Sequence, residues 1–77
     1  MTYSIHLTRH LRFVIGENIH HYRARQKMTL RKLFCLTGIP EWLLDHYELG
    51  KNDMGLLELH RIACALNVDI RELLGSR

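Results

Sequence analysis

Four residues constrain this chain more than any other feature: Gly38, Gly50, Asn67 and Gly75 each follow an apolar stretch with helical spacing. Glycine and asparagine adopt the backbone conformations that end helices, so the chain divides into short helical pieces. Ile15, Ile19 and Tyr22 recur at helical spacing, with polar Glu17, Asn18, His20, His21 and Arg23 between them. That pattern predicts a first helix over roughly residues 10–26. Thr29 is placed to cap a second, in which Leu30, Leu33, Phe34 and Thr37 share a face.

Pro40 suits the first turn of a third helix, and Glu41 follows where a negative charge complements the helix dipole. Leu44 and Tyr47 share its inner face with Pro40 or Leu43. The turn Gly50-Lys51-Asn52-Asp53 precedes a fourth helix, marked by Leu56, Leu59, Ile62, Ala63 and Leu66, with Asp53 as the expected cap. Asp69 and Glu72 have the spacing of a capping box that opens a fifth. Strand-like alternation, internal repeats and low-complexity segments are absent from the sequence. The expected class is all-α, a compact five-helix domain over residues 11–77, with residues 1–10 as an N-terminal arm or helix extension.

A chain of 77 residues supports one domain and leaves little room for a deep cleft. It has no Gly-rich phosphate loop, no nucleophile elbow and no paired carboxylates in an expected pocket, so no enzyme activity is expected. Apolar runs fall short of the roughly 20 residues that span a bilayer, and residues 1–13 lack the apolar stretch of a secretory signal. The expected location is the cytoplasm, without membrane association. Cys35 and Cys64 do not form a C-x-x-C pair and are expected as free thiols. His6 and His10 lie four apart and His20 and His21 are adjacent, but neither pair brings the further ligands that tetrahedral zinc needs. Neither a metal nor another cofactor is expected.

Charge is unevenly spread. Residues 1–37 hold seven Lys and Arg against Glu17 alone, a balance of +6, whereas residues 38–77 hold four against seven acids, a balance of −3. A basic half of this kind serves as an electrostatic footprint for phosphates or as a solvated helix face.

The segments IGENIHHYRARQKMTLRKL (15–33), TGI (37–39), HYELGKND (46–53) and LHRIACALNVDIRELL (59–74), in that order, resemble the Cro/Xre phage-repressor family. The resemblance covers about residues 13–74 and implies the lambda-repressor-like fold, with a helix-turn-helix made of the second and third helices. It also implies roles for single residues. Arg23 and Glu48 match positions that form a buried ion pair tying the third helix to its support. Thr29, Arg31 and Lys32 fall where the second helix meets DNA phosphates, with Arg25 and Lys51 as flanking candidates. Glu41, Trp42, Asp45 and His46 fall on the outward side of the third helix, which reads base edges in the major groove, together with Leu43 and Leu49.

That outward side departs from the family pattern, in which Gln, Ser, Thr, Asn, Lys or Arg are usual. Pro40 replaces a capping Ser or Thr, Phe34 a small Ala, and Met54 a Pro. Carboxylates can accept from cytosine N4, and Trp or Leu can contact a thymine methyl, but each acid also meets the negative field of the duplex. Two functions follow. The first is a sequence-specific DNA-binding transcriptional regulator, a repressor in the leading form, prokaryotic or phage-encoded and nucleoid-associated. It would act as a homodimer on double-stranded DNA, with Leu57 hinting at a dimer surface on the fourth and fifth helices. The alternative is a protein-interaction module, an anti-repressor or the partner of another regulatory protein, which docks through the same helix.

Overall fold

Thr8 Oγ1 accepts the Leu11 N–H at 3.1 Å and opens α1 (Arg9–Arg25) in this computed structural model, which describes residues 8–75. Residues 1–7 of the expected arm lie outside the described residues, while Arg9 and His10 belong to α1. The helix ends at Gln26, and Lys27 turns the chain with a φ of 55°. Thr29 then caps α2 (Leu30–Thr37) by accepting the Lys32 N–H at 3.0 Å.

Gly38 ends α2 with a φ of 76°, a conformation that costs glycine little because it has no Cβ. Thr37 fixes the turn that follows: its hydroxyl donates to the Leu33 carbonyl at 2.7 Å and accepts the Ile39 N–H at 3.1 Å. Pro40 is extended, with ψ at 147°, and stands just before α3 (Glu41–Glu48). Gly50 reverses the chain after α3 at a φ of 72°.

α4 (Leu56–Leu66) starts from Gly55, which offers no side-chain cap. The expectation for Asp53 is therefore corrected. It lies three residues before the helix and faces Arg12 Nη1 at 3.4 Å instead. Asn67 closes α4 at a φ of 56°. α5 (Ile70–Leu74) has the expected capping box, in which Glu72 Oε2 accepts the Asp69 N–H at 2.8 Å.

α1 packs against α3 and α5, and α2 against α3 and α4. Ile15, Ile19, Leu33, Leu44, Ile62, Leu66 and Leu73 meet in the centre with no exposed surface. Three sequence expectations change here. Phe34 is 36% exposed and Pro40 is exposed, so α2 buries Leu33 and Thr37 while α3 buries Leu44 and Tyr47. Asn18, expected among the outward polar residues of α1, is buried. Its amide donates to the Leu73 and Gly75 carbonyls at 2.9 and 2.7 Å and so fastens the end of α5 to α1. A buried amide is tolerated when its donors are matched, and these two are.

Candidate nucleic-acid interface

The position of α3 is set by its contacts with α1. Gly16 sits so close to the end of α3 that a Cβ would meet the Tyr47 and Glu48 carbonyl oxygens, the latter at 2.7 Å. Two turns further along α1, Arg23 and Glu48 face each other, with Nε 2.6 Å from Oε2 and Nη2 3.0 Å from Oε1. Arg23 Nη1 donates to the Met28 carbonyl at 2.7 Å, and His20 Nδ1 lies 3.0 Å from Glu48 Oε1. The hydrogen bond to Glu48 holds the guanidinium charged beyond its ordinary range. Burial opposes that shift, and the charges of Glu48 and Asp45 add to it. The pair therefore ties together the end of α1, the loop after it and the end of α3.

With its inner side held in this way, α3 presents Glu41, Trp42, Asp45 and Leu49 to solvent. Trp42 is 62% exposed and Leu49 53% exposed. Leu43 and His46 depart from the expected outward set, because both are half-buried. Leu43 packs against the core, and His46 lies edge-on to Trp42 with ring centroids 5.6 Å apart. Trp42 and Leu49 are seven residues apart, two helical turns, so they share one side of α3 with Asp45 between them.

The start of α2 lies beside the start of α3. Arg31 Nη1 is 3.8 Å from Glu41 Oε2, so an expected phosphate contact and an expected base reader form an exposed ion pair with each other. Lys32 and Arg25 are exposed, and Thr29 is committed to its cap. Lys51 is not part of this group. It lies beyond the other end of α3, across an open groove from Arg9, His10 and Arg12. Sequence reasoning counted Arg9 and Arg12 only towards overall charge. The signal available was a first helical turn with cations and no acid.

Among the described residues no three His, Cys, Asp or Glu side chains gather in a metal-binding arrangement. Cys35 and Cys64 are free and exposed, with Cys64 Sγ 3.6 Å from His60 Nε2. No described helix is long and apolar enough to cross a membrane.

No protein-family model and no curated protein matches the chain. Solved structures do. The restriction-modification controller protein C.AhdI from Aeromonas hydrophila is 22% identical, with a TM-score of 0.78 over 80% of this chain and 94% of its own. The clp gene regulator ClgR from C. glutamicum is 25% identical, with a TM-score of 0.79 over 83% of each chain. A hypothetical transcription factor, NHTF from Neisseria, is 22% identical, with a TM-score of 0.79 over 87% of this chain and 76% of its own. The fold is that of the Cro/Xre-type helix-turn-helix regulators. Within this helix-turn-helix, α2 is the bracing helix and α3 the presented one. The five helices of the described residues follow the order and class expected from the sequence.

Proposed function

We propose that the chain is a DNA-binding transcriptional regulator that reads the major groove with α3. The observation that carries this reading is the open outer side of α3 beside the exposed cations at the start of α2, within a fold shared with the gene regulator ClgR. In this role Arg31 and Lys32 meet backbone phosphates, assisted by Arg25 and the amide end of α2. Glu41, Trp42 and Asp45 face base edges, with His46 behind Trp42. Arg23 and Glu48 hold the geometry and touch no base. The protein is a binder and not an enzyme, and it works in the cytoplasm as a repressor.

A homodimer fits this function. Two α3 helices about 34 Å apart would enter successive major grooves on a near-palindromic site. Leu56 and Leu57 are about half exposed at the start of α4, and Leu74 is exposed on α5, which supplies apolar surface for the contact. Selection from a random duplex library at two salt concentrations tests the reading. Enrichment of an inverted repeat supports it, and equal affinity for every duplex removes it.

A second reading has its own support, because an exposed Trp42 and Leu49 flanking Asp45 also suit a protein partner. Trp42→Ala separates the two. Weakened duplex binding favours the first, whereas lost capture of a regulatory protein by a chain with no duplex affinity favours the second.

A further inference from the structure

The first turn of α1 carries Arg9, His10 and Arg12 and no acid, at the positive end of a helix of 17 residues. Acids are stabilising at that end and cations are not, so this turn breaks a local rule of helix stability. Such breaks, when nothing nearby compensates them, mark functional positions. Little compensates this one. Arg9 is exposed and has no ion-pair partner among the described residues. Arg12 makes a single 3.4 Å contact, to Asp53, and its Nε is buried without a hydrogen-bond partner.

Lys51 stands opposite, also exposed and without an ion-pair partner among the described residues. With Phe13 and Leu49 these cations enclose an open groove of about 710 Å³. Leu49 directly follows α3 and belongs to its exposed side, so the groove continues that side at the end away from Arg31 and Glu41. The eight residues of α3 span about 12 Å, close to the width of a major groove. Cations therefore stand at both ends of an acidic and apolar helix.

We propose that Arg9, Arg12 and Lys51 form a second clamp for the DNA backbone, taking phosphates at the far edge of the groove that α3 occupies. The inference rests on the reading of α3 as the DNA-facing helix. It also resolves the charge conflict of that helix: Glu41 and Asp45 enter a negative field, and the clamp restores the positive charge needed to keep them there. Phosphate contacts carry no sequence information, so the clamp adds affinity and register without changing the preferred site.

The test uses the full chain and a random-sequence duplex, with affinity measured across a range of salt. Arg9→Gln with Lys51→Gln is expected to weaken binding to every duplex alike. It should flatten the plot of log affinity against log salt by about 0.9 per lost contact. Both side chains are exposed, so the thermal midpoint should not fall below the wild-type value, and loss of the Arg9 charge from the positive end of α1 should raise it slightly. The single variants give the same binding result at half the effect. An unchanged slope, with Arg31→Gln still flattening it, overturns the clamp and leaves the DNA reading intact. A loss in Arg71→Gln, which removes one charge from α5, equal to that of each single clamp variant would assign the effect to net charge and also overturn the clamp. A wild-type chain that binds polyglutamate and no duplex overturns both.

Discussion

Arg23 and Glu48 meet in a two-pronged ion pair, 2.6 and 3.0 Å long, whose third arm reaches the Met28 carbonyl. The side chains are only 15% and 7% exposed, so removing one partner leaves a largely desolvated charge behind. Arg23→Met or Glu48→Leu is expected to destabilise the fold by about 3 kcal/mol. The double variant Arg23→Met with Glu48→Leu should recover much of that loss, because the stranded charge is gone. Denaturant unfolding of the four proteins measures the coupling. Additive single and double losses would show that the two residues act separately.

Gly16 makes a different kind of contact between the same helices. No side chain fits between α1 and the Tyr47 and Glu48 carbonyls, which are backbone atoms at the end of α3 and have little freedom to move. Gly16→Ala would normally strengthen a helix interior by about 1 kcal/mol. Here it is expected to cost about 2 kcal/mol through overpacking, and to loosen the grip on α3. A higher thermal midpoint for this variant would mean that the two helices can separate at no cost. Gly38 contrasts with it, since nothing lies within 4 Å of its missing Cβ and only its positive φ favours glycine there.

The ends of the helices were legible because caps are local. Thr29, Gly38, Gly50, Asn67 and the Asp69–Glu72 pair act within three or four residues of their own position. The start of α4 was not, because Gly55 caps it without a side chain and Asp53 imitates a cap nearby. Burial was misread wherever the deciding partner is remote. Asn18 reads as a solvent residue until its amide meets carbonyls 55 and 57 residues away. Likewise the groove joins Arg9 to Lys51 across most of the chain, a proximity that only the packing of α1 on α3 creates. The start of α2 and the outer side of α3 were readable from the family resemblance, but their mutual ion pair was not.

Tyr47 gives the fold a sensitivity to alkali. Burial raises its phenol above the ordinary value of 10.0, and the charge of Glu58 adds to the shift. A raised folded value means that the unfolded chain loses this proton first as the pH climbs. Stability from the neutral phenol is therefore complete below about pH 10 and declines above it. Tyr47→Phe keeps the ring and removes the titration, so the variant should resist alkaline unfolding better than the wild type. Denaturation midpoints at neutral and alkaline pH check this, and parallel decline in both proteins would place the sensitivity elsewhere.

Glu41 stands where two demands on α3 conflict. Its carboxylate lies 3.8 Å from Arg31, with side chains 47% and 76% exposed, so the pair contributes only about 0–1 kcal/mol to the fold. Towards a duplex its effect is larger, because it both repels phosphates and competes with them for Arg31. Glu41→Gln is expected to raise affinity for random duplex several-fold and to steepen the salt dependence by less than about 0.9, as Arg31 stops sharing its phosphate contact with a carboxylate. On the selected operator the same variant should lose about 1–3 kcal/mol of discrimination at one base pair, if the carboxylate accepts from a cytosine amine there. Affinities for both duplexes, measured side by side, separate these effects. A uniform fall on both would show that Glu41 neither restrains Arg31 nor reads a base, and that its place beside the α2 cations is structural.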